Sequence, residues 1–223
     1  MKKLIIVVLA TLMISAVLFT NATASCKEVP YNPIVSKRQI EIVSRTQFIK
    51  RIVKSENISY SKALKYDAEM TKKFEQTHPD LFRPIKTYGS TSGHYEYAYI
   101  SRYVYFGYTY GGNYIEIRQT VPVKIYVYGS FRSFVYAQNP FTQSCSGGYT
   151  WYQSYNHTDL GSPPTQFTAL SSGYAEVTID SSLALSIGIE LVGNGFSLTF
   201  TQGSTYYYRK ICDFPVWTYN LYP

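Results

Sequence analysis

The stretch LALSIGIELVGNGFSLTFTQ, residues 183–202, has the most regular pattern in the chain. Apolar residues alternate with small or polar ones on both sides of a central Gly-Asn-Gly, and a β-strand places successive side chains on opposite faces. The Asn-Gly pair supplies the positive φ angles of a tight hairpin turn. We therefore predict a β-hairpin here. Its apolar face consists of Leu183, Leu185, Ile187, Ile189 and Leu191 in the first strand, and of Phe196, Leu198 and Phe200 in the second.

This predicted hairpin has two interpretations. In the first, its apolar face packs onto the core of a soluble sheet. In the second, it is the membrane-inserting hairpin of a pore-forming protein, because membrane-spanning strands show the same alternation over about nine to eleven residues. The first arm is long enough for that role and the second is slightly short. The pattern favours the soluble sheet and keeps membrane insertion as a hypothesis.

The first 24 residues have the three parts of a secretory signal peptide. Two lysines precede an uncharged run over residues 4–20, and an Ala-Thr-Ala sequence ends at Ala24. Cleavage after Ala24 leaves Ser25 as the first mature residue; an uncleaved anchor and lipidation of Cys26 are the alternatives. We expect a secreted protein of a Gram-positive bacterium, either extracellular or associated with the cell surface.

Charge divides the rest of the chain into two predicted regions. Residues 25–86 contain thirteen Lys or Arg against seven Asp or Glu, and residues 87–223 contain six against seven. A basic segment in an exported protein favours an anionic membrane or cell-wall polymer as its partner, and disfavours nucleic acid. The candidate contacts with such a surface are basic residues of the predicted helices: Lys50, Arg51, Lys54, Lys72 and Lys73.

Residues 25–86 are predicted to form an extended leader and two helices. The helical period begins at Lys37, and the second helix should end before Pro79, because proline disfavours helix at the preceding residue. Residues 81–93 have the composition of a linker. The basic segment is therefore either a separable targeting arm or pro-segment, or a pair of helices packed permanently on the sheet.

Residues 87–223 read as a tyrosine-rich β domain. About eight short strands separated by turn signals predict a mainly antiparallel β-sandwich or barrel-like domain, so the whole chain is expected to be α+β. Pro122 interrupts an apolar strand run, which predicts an edge position or a bulge. Residues 139–164 are predicted to be mostly loop.

Tyrosine is unusually abundant, with 24 residues in the chain. Such side chains stack on sugar rings and favour membrane interfaces, although tyrosine also suits any half-buried strand. One predicted strand, residues 94–110, places five of them on one face: Tyr95, Tyr97, Tyr99, Tyr103 and Tyr105. This face is a candidate platform for a carbohydrate or a cell-wall polymer.

Cysteines and titratable residues give few signs of catalysis. Cys145 and Cys212 both lie in the β domain, so export predicts a disulfide between them. The sequence has neither a nucleophile elbow nor a phosphate-binding glycine loop, and its histidines lack metal-ligand spacing. We therefore expect no enzymatic activity, no cofactor and no metal site. A secreted hydrolase stays an alternative through strand glutamates that could meet across a sheet: Glu96, Glu116, Glu176 and Glu190.

These observations favour a secreted, non-enzymatic protein that acts at a bacterial cell surface. It would be antibacterial (bacteriocin-like) or toxin-like, and would engage the membrane or the wall. The main alternative is a carbohydrate- or wall-binding module that uses the tyrosine face. An oligomer is expected only if the protein forms a pore.

Overall fold

The structure is a computed structural model that describes residues 34–82 and 93–222. These residues form β-strands, three α-helices and one short 3₁₀ helix. In chain order the elements are β1 (Ile34–Val43), α1 (Arg45–Glu56), α2 (Tyr60–Thr77), the 3₁₀ helix (Pro79–Phe82), β2 (His94–Tyr108), β3 (Tyr114–Tyr128), β4 (Phe131–Ala137), β5 (Phe141–Ser144), β6 (Thr150–Leu160), β7 (Gln166–Asp180), α3 (Ala184–Gly193), β8 (Ser197–Gln202), β9 (Thr205–Asp213) and β10 (Trp217–Asn220).

The strands form two five-stranded sheets that pack face to face. Sheet A has the order β1-β2-β3-β4, with β5 also paired to β3, and sheet B has the order β10-β7-β9-β8, with β6 also paired to β7. Every strand pair is antiparallel. The sheets do not close into a barrel. This confirms the predicted α+β class with a mainly antiparallel, sandwich-like β domain.

Two apolar clusters lie between the sheets, with a polar seam in the same layer. In one cluster, Val104 and Phe106 of sheet A pack with Val177 of sheet B and with Phe214, which follows β9. The second cluster contains Phe134 of β4 and Trp217 of β10. The seam begins at the buried Arg102 guanidinium, whose Nε donates to Gln119 Oε1 at 2.7 Å. Gln119 Nε2 in turn donates to Ser171 Oγ at 2.8 Å. Burial lowers the pKa of Arg102 to about 10.

Helices α1 and α2 cover part of the outer face of sheet A. Ser44 caps α1 and Ser59 caps α2 through their side-chain oxygens, which satisfies backbone donors of each first turn. The buried helix residues are Phe48, Ile49 and Ile52 of α1 with Ala63, Asp67 and Phe74 of α2. The predicted end of the second helix before Pro79 is confirmed, because α2 stops at Thr77.

Asp67 is the polar centre of this helix–sheet contact. Its carboxylate is 0% exposed and accepts hydrogen bonds from Arg45, Lys124, Tyr97 and Tyr136. The Lys124 ammonium is itself only 3% exposed and lies 2.9 Å from Asp67 Oδ1. Burial by itself raises the pKa of Asp67, but the bonds from Lys124 and Arg45 outweigh burial and hold it below its ordinary value.

Residues 34–43 correct the predicted start of the first helix. The helical period was expected from Lys37, but β1 runs to Val43 and pairs with β2, and α1 begins only at Arg45. Pairing with β2 overrides the local helical pattern of this segment, because tertiary contacts outweigh weak propensities. The N-terminal basic segment thus contributes a strand to sheet A. Its predicted boundary at residue 86 lies outside the described residues.

Pro122 lies in a central strand, where it occupies a gap between two partners. On one side β3 pairs with β2 throughout, and on the other it pairs first with β5 and then with β4. Pro122 falls between these two pairings, and its carbonyl accepts from Gln138 N at 2.9 Å. The missing N–H of proline therefore faces the position where one partner strand replaces the other, and no ladder bond is lost.

Two further predictions for the β domain are wrong. Residues 139–164 were expected to be mostly loop, yet they contain β5 and the eleven-residue β6. Strand β6 is largely exposed, so it lacks the alternating apolar pattern by which half-buried strands are recognised. The predicted disulfide is absent: Cys145 is a free, exposed thiol and Cys212 is a free thiol buried in the core. Cys26 lies outside the described residues.

Candidate functional site

Helix α3 occupies the stretch that was predicted to be the first arm of the hairpin. Strand β7 ends at Asp180, whose side chain accepts a hydrogen bond from the Ser182 backbone N–H at 3.0 Å and turns the chain. Residues 184–193 then form a helix, so the predicted strand at Leu183, Leu185, Ile187, Ile189 and Leu191 is wrong. Apolar residues at every second position reach all sides of a helix, so that pattern cannot exclude one.

One side of α3 packs on the protein core. Leu191 is fully buried in the cluster that contains Phe106 and Tyr208. Gly188 allows this close approach, because a Cβ atom added there would lie 2.5 Å from the Tyr208 hydroxyl oxygen. The chain leaves the helix at Gly195, which has a φ of +85° that side-chain-bearing residues rarely adopt. Tertiary packing therefore determines the helical state of this stretch.

The opposite side of α3 exposes apolar side chains to solvent. Leu185 is 79% exposed and Ile189 is 69% exposed, and they follow one another at helical spacing. We define the apolar face of α3 as Leu185, Ile189 and Val192, which are all more than half exposed and lie within about 60° of one another around the helix axis. Leu183 is also half exposed, but it precedes the helix as its N-cap residue. Single exposed apolar residues are ordinary on protein surfaces, whereas a contiguous group marks an interaction site.

Polar contacts hold the C-terminal half of α3 against the β2–β3 turn. Glu190 Oε1 accepts from the Gly111 backbone N–H at 2.9 Å, and Asn194 Nδ2 donates to the Thr109 carbonyl at 2.6 Å. Lys210 Nζ donates to the Asn194 carbonyl at 2.7 Å. Because Glu190 binds this turn, the one acidic side chain of the helix does not interrupt its apolar face.

The second arm of the predicted hairpin is a strand, but it pairs elsewhere. Strand β8 lies at an edge of sheet B and pairs with β9, and its described side chains are all exposed. Phe196 precedes β8 and is buried in the core, whereas Leu198 and Phe200 are exposed. The eight hairpin residues are thus divided between a helix, a core position and an edge strand.

An aromatic row crosses the outer face of sheet B, and of its members only Phe200 was a predicted site residue, as part of the hairpin. Ring centroids of Tyr152 and Tyr174 are 4.9 Å apart, and those of Phe200 and Tyr207 are 4.1 Å apart, with both pairs stacked. The Arg209 guanidinium lies over both Tyr174 and Phe200 and forms a 2.6 Å ion pair with Glu176. We call Tyr152, Tyr174, Arg209, Phe200 and Tyr207 the aromatic row.

The predicted tyrosine platform on β2 is mostly covered by helices. The hydroxyls of Tyr95, Tyr97 and Tyr99 donate to Glu75, Asp67 and the Gln47 carbonyl, respectively, and their rings pack in the helix–sheet cluster. These tyrosines therefore do not form an exposed platform. Tyr103 donates to Gln39 on β1, and Tyr105 packs against Tyr108 and Tyr114 at the end of the β2–β3 hairpin.

The basic candidates on the helices differ in exposure. Lys50 and Lys54 on α1, with Lys72 and Lys73 on α2, are exposed. Arg51 is half-buried, and its guanidinium carbon lies 3.2 Å from the ring centroid of Phe141. The four lysines can reach an anionic surface directly, whereas Arg51 faces a cavity.

Three of the four glutamates considered for hydrolysis are engaged in separate contacts. Glu96 lies 3.2 Å from His94, Glu176 pairs with Arg209, and Glu190 binds the Gly111 N–H. In the ranges 34–82 and 93–222, no group of three or more His, Cys, Asp or Glu side chains could hold a metal ion. Over the same ranges, no helix combines the length and apolar character needed to cross a membrane.

Comparisons with known proteins add no relative. No protein-family model matches the chain, and neither the curated proteins nor the solved structures provided a match.

Proposed function

We propose that this protein is a secreted, non-enzymatic protein that acts at a bacterial cell surface by docking the apolar face of α3 into an anionic lipid interface. The observation that carries the proposal is the exposure of Leu185, Ile189 and Val192 on one side of a short helix. Burying one such side chain contributes about 1.5–3 kcal/mol. Three of them provide a substantial driving force for docking into an apolar medium.

Lipid suits this face better than a protein groove for two reasons. Tyr108 and Tyr114 are exposed at the adjoining end of the β2–β3 hairpin, and tyrosine favours the polar–apolar boundary of a membrane. In the secreted form expected after cleavage at Ala24, residues 25–223 contain nineteen Lys or Arg against fourteen Asp or Glu, a formal charge of +5, and the lysines of α1 and α2 are exposed. Binding of interfacial helices grows with buried apolar area and with attraction to anionic lipid.

The length of α3 supports docking in the plane of the interface. Its ten residues extend about 15 Å, roughly half the thickness of the hydrocarbon core of a bilayer. Docking of this kind needs no rearrangement of β8, which stays paired with β9. Pore formation by an inserted hairpin is a different hypothesis, because it requires α3 to convert to a strand.

Vesicle co-sedimentation tests the proposal. Wild-type protein should bind vesicles that contain phosphatidylglycerol, and Leu185→Ser with Ile189→Ser should weaken partitioning by about tenfold or more. The matched control is Ile211→Ser, because Ile211 is 78% exposed on β9 and lies outside the apolar face. Equal binding by the double variant and the wild type would refute the assignment. Dye release measured on the same vesicles separates docking from pore formation.

The aromatic row supports a second candidate function, the binding of a cell-wall glycan. Stacked exposed rings and a guanidinium form the kind of flat surface on which sugar rings pack. Tyr152→Ala should reduce retention on insoluble peptidoglycan. The control Tyr60→Ala removes a similarly exposed tyrosine at the start of α2, outside sheet B, and should leave retention unchanged. Wild-type protein that is not retained would remove this candidate.

A further inference from the structure

A cavity of about 200 Å³ lies beside α1 on the outer face of sheet A. Two arginines from different elements line it, Arg51 of α1 and Arg118 of β3. Phe141 of β5 belongs to the same lining. Polar groups are also present, because the hydroxyls of Ser101 and Thr120 line the cavity and hydrogen-bond to each other at 2.8 Å.

The two guanidiniums have more donors than the described acceptors can satisfy. Arg51 is held by stacking on Phe141, and Arg118 Nη2 donates to Gln143 Oε1 at 2.8 Å. Among the described residues, the buried Nε atoms of both arginines have no hydrogen-bond partner. A guanidinium carries five N–H donors, and a buried donor without an acceptor costs about 1–3 kcal/mol. The arrangement therefore favours an acceptor-rich ligand.

The charges of the cavity also favour an anion. Arg51 and Arg118 lie close enough that burial and the charge of Arg118 both lower the pKa of Arg51. Glu41 is the acidic residue in the described lining, so two positive charges face one negative charge. The resulting net charge of about +1 is neutralised by a monoanion, whereas Glu41 disfavours a dianion.

We propose that this cavity binds a phosphodiester group. A carboxylate offers two coplanar oxygens, which match one guanidinium fork, whereas a phosphate group can accept from two forks that approach from different sides. A phosphodiester also carries the single negative charge that the lining favours. At about 200 Å³ the cavity is smaller than typical small-molecule pockets of about 300–1,000 Å³, so it suits the charged group and its nearest substituents.

Both a glycerol-phosphate wall polymer and a phospholipid headgroup present this group. The site is independent of the proposed lipid docking, because no residue of the apolar face of α3 takes part. Phosphodiester binding at the cavity and vesicle binding by α3 can therefore be tested separately, and failure of one does not imply failure of the other.

Isothermal titration calorimetry with glycerophosphoglycerol, a soluble phosphodiester, tests the inference. Glucuronate, glycerol 3-phosphate and glycerol are the comparison ligands. We expect saturable binding of the phosphodiester, weaker binding of the two other anions, and none of glycerol. Arg51→Met and Arg118→Gln should each raise Kd by about tenfold or more. The matched control Lys54→Gln removes an exposed charge one turn along α1 and should change Kd by less than about twofold.

Glu41→Gln provides a gain-of-binding test that a folding defect cannot imitate. Removal of the carboxylate should lower Kd for glycerophosphoglycerol. It should also reduce the ratio of the Kd for glycerol 3-phosphate to the Kd for glycerophosphoglycerol. To identify the source of the phosphodiester, wild type and Arg118→Gln are each titrated into soluble poly(glycerol phosphate) and into phosphatidylglycerol nanodiscs. The ligand whose binding is weakened by Arg118→Gln is the one that uses the cavity. Tighter binding of glucuronate than of the phosphodiester would overturn the inference, as would unchanged binding by both arginine variants.

Discussion

Replacement of Asp67 by asparagine should destabilise the protein strongly, because it leaves a buried ammonium without its counter-charge. Lys124 is only 3% exposed and lies 2.9 Å from the carboxylate, whereas the other cationic partner, Arg45, is half exposed. Removal of one member of a buried ion pair typically costs about 3–5 kcal/mol. The exposed Arg45 contributes at most about 1 kcal/mol, so the Lys124 interaction dominates.

A loss of this size is a large part of the stability of a domain, which is usually about 5–15 kcal/mol. For a domain of this length, each 1 kcal/mol lowers Tm by about 2–4 °C, so Asp67→Asn should lower Tm by roughly 6–20 °C. Urea unfolding followed by tyrosine and tryptophan fluorescence measures the free energy of unfolding directly. The loss should appear as a lower midpoint with an unchanged slope.

The double variant Asp67→Asn with Lys124→Met separates charge from packing. Methionine removes the orphaned ammonium while it retains an unbranched apolar chain, so most of the lost stability should return. If Asp67→Asn alone stays within about 0.5 kcal/mol of the wild type, the electrostatic account of this contact is wrong.

The pH dependence gives the same contact a second test. The pKa of Asp67 is lowered in the folded state, so its stabilising contribution is present above the unfolded pKa of about 3.9 and is lost as pH falls through the folded value. Acid unfolding of the wild type should therefore be steeper below pH of about 4 than that of Asp67→Asn.

Three further predictions concern other described residues. Burial and the neighbouring Asp67 raise the pKa of Tyr97 to about 12, so the free energy of unfolding should fall as pH rises from about 10 through 12. Tyrosinate absorbance at ~295 nm and the circular dichroism signal of the fold should then change together; ionisation of Tyr97 before the protein unfolds would contradict this. Burial raises the pKa of the Cys212 thiol to about 12, so mass-mapped alkylation of the native protein should label the exposed Cys145 and spare Cys212 until unfolding; labelling of both at equal rates would be inconsistent with the structure. Cleavage at a protease site introduced between residues 86 and 92 should leave two fragments that elute together from a size-exclusion column, because β1 pairs with β2 and the helices bury Phe48 and Phe74. Separation of the fragments without denaturant would instead support a detachable basic segment.

The sequence by itself determined the features that depend on local chemistry. The class of the fold follows from short strands and turn signals, and the Gly111-Gly112-Asn113 turn, with positive φ at both glycines, separates β2 from β3. The end of α2 before Pro79 likewise follows from a proline that restricts the residue before it. Such signals act over a few residues, so their effect does not depend on how the rest of the chain packs.

Tertiary structure alone decided which patterned segments are buried and which are exposed. The alternation in residues 183–191 suits a strand or a helix, and the fit of Gly188 against Tyr208 is a long-range contact that no local pattern shows. The sequence of β2 predicts an exposed tyrosine platform, but α1 and α2 pack on that face and cover most of it. The aromatic row contains residues from four strands, and the sequence of a single strand does not show which strands it pairs with. The Arg51–Arg118 cavity arises in the same way, because residues 67 positions apart become neighbours only when α1 packs on sheet A.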